Sequence, residues 1–407
     1  MLSNIRTIKD LDVNNKKVLV RADLNLPIVH GKITDLTRLT RIIPTLQYLL
    51  ENNAKVILIS HYGQPKGKFV LDLSLSPVVD ELSKALQGLN VLFDVDILAD
   101  STKSRIDQLE PGNLLLIENL RFHPGEELND LEFARQVAEL GDIYVNETFS
   151  CSHREHASIV SLPKFLPGIA GLLLFEELEK LQEHLTTPTK KVMSITGGSK
   201  ISSKINMLTA LVEKTDYLVI GGAMANTFLK AKGHSIGNSL YEENYIDTAL
   251  SILNKATKSN CEIILPTDMI TAKTFTPNAS YQVRSLSNIP DDEMILDIGP
   301  KFLATIIFKL DEVKTVIWNG PLGAFEHKPF DLGTTTISRA IAAATLNQGL
   351  ISIAGGGDVV SAINSSGLSD NFTYISTGGG AFLKWIENQT LPGIEALIEN
   401  AKIYGCV

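Results

Sequence analysis

Residues 16–27 read KKVLVRADLNLP, and residues 190–200 read KKVMSITGGSK. Each stretch is a short apolar run that ends in polar or turn-forming residues, the pattern of a strand buried on both faces. Runs of the same kind recur along the chain at 54–65, 90–94, 112–127, 141–149, 216–224, 261–268, 314–323 and 350–358. Helical patterns such as 36–53 (LTRLTRIIPTLQYLLENN) lie between them. This alternation predicts an α/β fold with parallel sheets covered on both faces.

The length of 407 residues indicates more than one domain, because single hydrophobic cores usually stop growing at a smaller size. Residues 171–191 carry leucines at helical spacing and then break at Thr186, Thr187 and Pro188, which predicts a linking helix. We therefore expect two doubly wound, Rossmann-like domains joined by a helix and hinge. Their predicted limits are 1–170, 171–186 for the helix, and 187–390, with a separate tail at about 391–407.

The composition is that of a soluble globular protein, with 44% hydrophobic and 20% charged residues. A net charge of −9 argues against a nucleic-acid partner, because such a surface is normally basic. The three cysteines lie far apart without a CxxC pair, so reduced thiols in the cytosol are expected. The charged N-terminal segment and the absence of a long apolar run predict a cytoplasmic protein without a membrane partner.

The first half places cationic side chains after successive strands: Arg21, Arg38, His61, Arg121, His153 and Arg154. Ligands of open α/β sheets bind beyond the carboxyl ends of the strands, and guanidinium groups match phosphate and carboxylate. A small ligand carrying both groups is therefore predicted, with Asp23 and Asn25 alternating along a strand to hold a hydroxyl between them. Surface ion pairs remain an alternative for each arginine. A metal pair at His153 and His156 also remains open, although no third ligand is evident.

The second half places glycines at the corresponding points, in GGSK, GGAM, NGPLG, GGGD and TGGG. A glycine-rich turn that opens a helix binds anions through its N–H groups. Lys200 and Lys204 are predicted on one helix face, four residues apart, where they could straddle a polyphosphate. Asp358 suits Mg²⁺ held together with phosphate oxygens. Close packing alone is the alternative explanation for each loop. Neither a P-loop nor a GxGxxG fingerprint with its acidic residue is present.

Taken in order, these blocks resemble the signature blocks of the phosphoglycerate kinase family from Arg21 to Ala381. They are RADLNLP, SHYGQPKG, IENLRFHPGEE, SHREHAS, GGSKISSKI, GGAMANTF, DIGP, WNGPLGAFE, AGGGD and STGGGA. The resemblance implies a phosphoglycerate site on the first domain at Asp23, Asn25, Arg38, His61, Gln64, Arg121 and Arg154. It implies a nucleotide site on the second at Gly198, Lys204, Gly222, Asn319, Glu326, Gly356, Gly357, Asp358 and Val359. Glu326 would hold the ribose, Asp358 would hold magnesium, and Arg38, Lys200 and Gly379 would surround the transferred phosphoryl group.

The family's activity is reversible phosphoryl transfer between 1,3-bisphosphoglycerate and ADP, giving 3-phosphoglycerate and ATP in glycolysis and gluconeogenesis. The resemblance therefore implies an ATP-dependent phosphotransferase that uses Mg²⁺ with its nucleotide. It also implies a monomer whose tail returns to the first domain. Transfer of a group whose charge spreads over three oxygens depends chiefly on positioning and cationic stabilisation. The two domains are expected to close over the ligands without forming a covalent enzyme intermediate.

Five positions depart from the family pattern: Gln64 in place of arginine, Ser203 of aspartate, Val359 of Thr or Ser, Phe382 of a small polar residue, and Glu147 of aspartate. We expect an active but slow enzyme. One alternative is a weakened or inactive paralogue that keeps nucleotide binding. Another is a nicotinamide-dependent oxidoreductase, since doubly wound folds carry many functions.

Overall fold

The computed structural model describes residues 2–29, 32–185, 191–376, 378–388 and 390–405. The chain divides into two compact units, Met1–Leu181 with Thr390–Val407, and Gln182–Gln389. The predicted helix break at Thr186, Thr187 and Pro188 lies outside the described residues. No helix in the described segments is long and apolar enough to cross a membrane.

The first unit is an α/β layer structure. Its strands are β1 Lys17–Ala22, β2 Ile28–Val29, β3 Lys32–Ile33, β4 Lys55–Ile59, β5 Leu92–Asp94, β6 Leu114–Ile117, β7 Ile143–Glu147 and β8 Gly168–Ala170. Its helices are α1 Thr37–Glu51, α2 Val78–Ala85, α3 Asp100–Asp107, α4 Pro124–Glu127, α5 Leu131–Ala138 and α6 Leu172–Leu185, which runs past the unit's limit, with α14 Pro392–Ile403 from the tail. Short 3₁₀ turns at Leu120–Phe122 and Phe149–Cys151 follow β6 and β7.

The main sheet of this unit has the order β5-β6-β4-β1-β7-β8, and all neighbouring strands are parallel. Val18, Leu19 and Val20 of β1 are all fully buried, because helices cover both faces of the sheet. The chain runs outward from β1 on one side and later returns to build β7 on the other. The crevice beyond β1 and β7 is therefore the switch point at which such sheets bind ligands.

The tail is anchored in the first unit by Asn400 of α14. The Asn400 side-chain oxygen accepts from Arg6 Nη2 at 2.8 Å and from the Gly168 N–H at 2.7 Å. Its amide nitrogen donates to the Leu166 carbonyl at 2.7 Å and also to the Pro163 carbonyl. A buried amide with every hydrogen-bonding group satisfied fixes the position of the helix that carries it.

The second unit repeats the α/β plan. Its strands are β9 Val192–Thr196, β10 Tyr217–Ile220, β11 Glu262–Ile264, β12 Asp268–Ala272, β13 Tyr281–Ser285, β14 Met294–Ile298, β15 Thr315–Asn319, β16 Ile351–Gly355 and β17 Tyr374–Ser376. Its helices are α7 Ile205–Lys214, α8 Gly222–Ala231, α9 Ile246–Lys258, α10 Pro300–Leu310, α11 Leu332–Gln348, α12 Gly357–Ser365 and α13 Gly380–Asn388.

The main sheet of the second unit is parallel, with the order β11-β10-β9-β15-β16-β17. The order reverses between the neighbouring strands β9 and β15, so the second switch point lies beyond Thr196 and Asn319. The predicted fold class, two doubly wound parallel-sheet units, is confirmed. A small antiparallel sheet, β13-β12-β14, was not predicted. The run 261–268 divides between two sheets, because Pro266 separates β11 from β12.

Candidate active site

In the first unit, Asp23 and Arg38 meet at the switch point. Arg38, in the first turn of α1, places Nη1 3.2 Å from the Asp23 carboxylate and 2.9 Å from the Asn25 carbonyl. Ser150, which follows β7, donates to the other side of that carboxylate at 2.5 Å. Burial alone would raise the pKa of Asp23, but Arg38 and the Ser150 hydroxyl lower it. The carboxylate is thus ionised and holds Arg38 at the rim of the sheet.

Asp23 and Asn25 are arranged differently from the prediction. Strand β1 ends at Ala22, and the Asn25 N–H donates back to Asp23 Oδ1 at 3.0 Å in a local turn. The strand-type alternation proposed for the two side chains is therefore wrong, because Asp side chains capture nearby backbone N–H groups once a strand has ended. The Asn25 side-chain oxygen instead accepts from the Gly63 N–H at 3.0 Å, which fixes the loop after β4.

His61, a residue of the same loop, is buried. Its Nδ1 is 3.2 Å from Nη2 of Arg21, a fully buried arginine that also donates to Ser158 at 2.9 Å. Burial, followed by the charge of Arg21, lowers the pKa of His61 to about 3. The imidazole is consequently neutral at physiological pH and can accept a hydrogen bond from Arg21.

Arg121 is a second buried cation of the site. It is only 3% exposed and donates through Nη1 to the Gly63 carbonyl at 2.7 Å, while Glu127 lies 3.4 Å from its Nε. Its Nη2 has no hydrogen-bond partner within the described parts of the chain. A buried guanidinium nitrogen without a partner is costly, and an anion in the crevice would satisfy it.

Three other predicted positions in the first unit are Gln64, Arg154 and His156. Gln64 and Arg154 are exposed, and the Arg154 N–H donates to the Cys151 carbonyl. His156 is buried with Nδ1 3.9 Å from Glu126, and burial followed by Arg121 lowers its pKa to about 3. Across the described segments, no cluster of three or more His, Cys, Asp and Glu side chains could hold a metal ion.

In the second unit the glycine loops pack against one another. A Cβ added at Gly222 would lie 2.6 Å from the Gly198 carbonyl oxygen, and one at Gly197 would collide with the Pro321 carbonyl. Gly222 also has φ of +65°, a conformation that other residues rarely adopt. Close packing alone therefore requires these two glycines. Gly357 and Gly379 differ, since an added Cβ would meet nothing within 4 Å among the described atoms.

Lys204 lies at the centre of these loops. Its Nζ donates to the Gly197 carbonyl at 2.7 Å and to the Asn319 side-chain oxygen at 2.6 Å. Asn319, at the end of β15, donates in turn to the Gly355 carbonyl at 2.6 Å. Burial lowers the pKa of Lys204 to about 8, partly offset by the negative charge of Asp358. One lysine and one amide thus connect the loops that follow three adjacent strands.

Lys200 and Lys204 do not share a helix face. Helix α7 begins at Ile205, and residues 201–204 form a turn closed by the Lys204 N–H bond to the Ile201 carbonyl at 2.8 Å. The prediction that both lysines lie on one helix is wrong, because side-chain hydrogen bonds from a distant part of the chain hold residues 201–204 in a turn. Lys200 is exposed, and the Ser203 hydroxyl donates to its carbonyl at 3.0 Å.

The loop after β16 presents Asp358 in the first turn of α12, exposed to solvent, with Gly356 at φ of +101° before it. Val359 is fully buried in the core, so only its backbone could reach a phosphate. Phe382 is also fully buried, against the backbone of Gly355. Val359 and Phe382, two positions that depart from the family pattern, therefore support the loop from its buried side.

Glu326 is an exposed residue in the loop after β15, and Gly379 lies in the turn before α13 with φ of +44°. A small pocket not predicted from the sequence, with both apolar and polar lining residues, lies beside Gly222. It is lined among others by Gly222, Ala225, Pro266, Met269, Leu296 and Leu322. These residues come from separated stretches of chain, so no local sequence signal could have predicted the pocket.

Sequence reasoning also missed the residues that hold the site loops. The Asn119 amide donates to the carbonyls of Tyr62 and Leu73 at 2.6 and 3.0 Å. Its neighbour Glu118, 4% exposed, accepts from Ser74 and Leu75. Both residues directly precede the predicted Arg121 region. The sequence signal that could have identified them was a pair of polar residues at the end of a strand.

The sequence profile for phosphoglycerate kinase matches residues 8–389. The chain is 48% identical over 392 residues to a phosphoglycerate kinase of Rhodospirillum centenum, covering 96% of this chain and 99% of that protein. It is 49% identical over 396 residues to one from Orientia tsutsugamushi, covering 97% of each.

Solved structures agree. The structure of phosphoglycerate kinase from Coxiella burnetii has a TM-score of 0.88 at 39% identity and covers 98% of this chain and 100% of its own. That from Pyrococcus horikoshii has a TM-score of 0.83 at 27% identity, with the same coverage. The chain belongs to the phosphoglycerate kinase family, and the predicted family and its enzyme class, ATP-dependent phosphotransferase, are confirmed. An inactive paralogue is not favoured by these relatives.

Proposed function

We propose that this protein transfers a phosphoryl group reversibly between 1,3-bisphosphoglycerate and ADP, yielding 3-phosphoglycerate and ATP. The observation that carries the proposal is the pair of switch points. Cationic side chains line the first, and glycine-rich loops with backbone N–H groups line the second, around Lys204. Cations and oriented N–H groups are what phosphoryl transfer needs, because negative charge spreads over the oxygens of the migrating group.

The phosphoglycerate site is proposed at the first switch point. The Nη2 of Arg121, which has no hydrogen-bond partner among the described residues, supports an anion there, and Arg38 and Arg154 would add bidentate contacts. Asp23, Asn25 and neutral His61 would bind the remaining polar groups of the ligand. Gln64 would contribute a neutral contact in place of a charged one.

The nucleotide site is proposed at the second switch point. Lys204, with the N–H groups near Gly198, Gly356, Gly357 and Val359, would bind the phosphates. Asn319 would keep Lys204 in place, and Glu326 would hold the ribose hydroxyls.

Magnesium would be held by Asp358 together with nucleotide phosphates. The exposed carboxylate close to Lys204 fits this ion, which typically takes one or two protein carboxylates and completes its shell with phosphate oxygens and water. When bound, it supplies neutralisation of phosphate charge. Lys200, Arg38 and the turn around Gly379 would stabilise the group in transfer, with direct passage and no covalent enzyme intermediate.

Because the two half-sites belong to separate units, we propose that the units close about a hinge to bring the ligands together and exclude water. We further propose a cytoplasmic monomer. Light scattering after gel filtration tests the monomer. A fall in the radius of gyration only when both ligands are present would support closure, whereas an unchanged radius would contradict it.

The proposed activity is tested by coupling 3-phosphoglycerate and Mg-ATP to the oxidation of NADH through the next enzyme of the reverse pathway. Turnover that requires both substrates is expected. Binding of nucleotide without turnover would contradict the proposal in favour of the inactive paralogue.

A further inference from the structure

The turn that carries both lysines of the nucleotide site is held by a carboxylate from another part of the chain. Glu242 lies between α8 and α9. The Ser202 N–H donates to its Oε2 at 2.9 Å, and the Ser202 hydroxyl donates to its Oε1 at 2.6 Å. The neighbouring Ile201 N–H also helps to lower the pKa of this carboxylate. Glu242 thus spans the turn between Lys200 and Lys204.

Glu242 is itself fixed to α8. Its N–H donates to the hydroxyl of Thr227 at 3.1 Å, and the amide of Asn226 donates to the Leu240 carbonyl at 3.0 Å. Thr227 and Asn226 are each 1% exposed. The segment that carries the carboxylate is therefore held against buried residues of α8.

The charge state suits this role. Burial by itself would raise the pKa of Glu242, but the bonds from Ser202 and Ile201 and the charge of Lys200 lower it overall. The group is ionised at physiological pH and accepts charge-assisted bonds, which are stronger than neutral ones. Lys200 has in addition a favourable Coulombic interaction with it.

We propose that Glu242 is a positioning residue for phosphoryl transfer, which sets the turn from Lys200 to Lys204 so that Lys200 points at the migrating group. The inference rests on the proposed role of the two lysines. Lys204 keeps its own bonds to Asn319 and Gly197 when the carboxylate is removed. Lys200 is exposed and depends on the turn for its direction. Loss of Glu242 should therefore reduce kcat more than nucleotide affinity.

The test compares Glu242→Ala with Glu243→Ala. Glu243 is the adjacent, exposed carboxylate, so the two variants lose the same charge at nearly the same place. Displacement of a catalytic group by about 1 Å can lower a rate about 100-fold. We expect kcat to fall roughly ten- to 100-fold in Glu242→Ala, with the KM for Mg-ATP changed less than about threefold and Glu243→Ala like the parent enzyme. Ser202→Ala should show a smaller fall, and its effect should be non-additive with that of Glu242→Ala.

Hydrogen exchange provides a readout that does not depend on activity. Amides 201–204 should exchange faster in Glu242→Ala than in Glu243→Ala, because the turn loses its bonds to the carboxylate. If Glu242→Ala does not fold, Glu242→Gln, which keeps the side-chain volume but loses the charge, takes its place in both measurements.

The results separate this inference from the proposed function. If Lys200→Ala lowers kcat while Glu242→Ala and Glu242→Gln leave kcat and exchange unchanged, the positioning role is wrong and the proposed function stands. If Lys200→Ala and Lys204→Ala both leave kcat and KM unchanged, the proposed nucleotide site is wrong and the positioning role falls with it.

Discussion

The ammonium group of Lys204 lies 2.6 Å from the side-chain oxygen of Asn319. Asn319 ends the strand adjacent to the one that precedes the lysine's loop, and its amide nitrogen donates to the carbonyl of Gly355, the last residue of the next strand. A single cation is therefore held between glycine loops with its charge only partly compensated. We therefore expect nucleotide binding at the proposed site to be sensitive to pH.

Nucleotide affinity should fall as pH rises above 8. Burial lowers the pKa of Lys204 to about 8, and bound phosphates favour the charged form, so the complex binds the proton more tightly than the free enzyme. Each pH unit above the free pKa reduces the charged fraction about tenfold, or about 1.4 kcal/mol. Calorimetric titration should show ADP binding at least about tenfold weaker at pH 9.5 than at pH 7.

ADP binding at pH 8.5 should also be accompanied by proton uptake, which calorimetry in buffers of different ionisation enthalpy detects. Lys204→Met should bind weakly and lose the pH dependence, whereas the exposed Lys232→Met should keep it. A pH-independent affinity in the parent enzyme would contradict the role of Lys204.

Replacing Arg38 should reduce turnover. Its guanidinium is held by Asp23 and the Asn25 carbonyl, which aims it into the crevice beyond β1. We expect Arg38→Ala to lower kcat about 1,000-fold or more, as arginines that stabilise phosphoryl transfer do elsewhere. Steady-state kinetics with both substrates measures this.

Arg41→Ala is the matched control, because Arg41 lies one turn further along α1 and contacts the exposed Glu176 instead. A change in the KM for 3-phosphoglycerate without a change in kcat would mean that Arg38 only binds substrate.

An arginine at position 64 should improve substrate binding. Gln64 is exposed on the loop that Asn25 and Asn119 hold in place, so a longer cation can reach the crevice from a fixed backbone. A charge-assisted bond in place of a neutral one is worth roughly 1–2 kcal/mol. Gln64→Arg should lower the KM for 3-phosphoglycerate about tenfold.

Gln108→Arg adds the same charge at the exposed end of α3 and should leave this KM unchanged. An equal effect of both variants would indicate general electrostatic attraction rather than a contact at position 64.

Glu147 should make stability depend on pH. Burial raises its pKa to about 7 from 4.5, although its carboxylate accepts bonds from Thr45 and from the N–H groups of Leu173 and Leu174 at the start of α6. The folded state then binds this proton more tightly than the unfolded state. Stability therefore decreases as pH rises from about 4.5 to about 7.

Glu147→Gln removes this titration. Urea unfolding followed by circular dichroism should show the variant gaining stability relative to the parent between pH 5 and pH 8, by up to about 3 kcal/mol. Glu110→Gln, at an exposed carboxyl, should run parallel to the parent. Parallel curves for Glu147→Gln as well would mean that Glu147 titrates normally.

Much of this protein could be predicted from local pattern. The apolar runs at 16–27 and 190–200 became central strands, and the residues after them lie at the switch points, because parallel strands place their carboxyl ends at one edge. Local pattern failed where side chains capture backbone N–H groups that a strand or helix would have used. The Asn25 N–H turns to Asp23 instead of continuing a strand, and the Ser202 N–H and hydroxyl bond to Glu242 instead of leaving Lys200 and Lys204 on a helix.

The sequence by itself determined the α/β class, the family and the chemical types at each strand end, since these depend on residue identity and spacing. Only the tertiary structure decided which polar atoms are paired. Arg121 keeps a buried nitrogen unpaired among the described residues, and Lys204 lies between Gly197 and Asn319. The tertiary structure also decided that Val359 and Phe382 are buried and support a loop from its inner side. Hydrogen bonding and burial also join residues that lie far apart, such as Lys204 and Asn319, 115 positions apart, and no local window of sequence contains both of these partners.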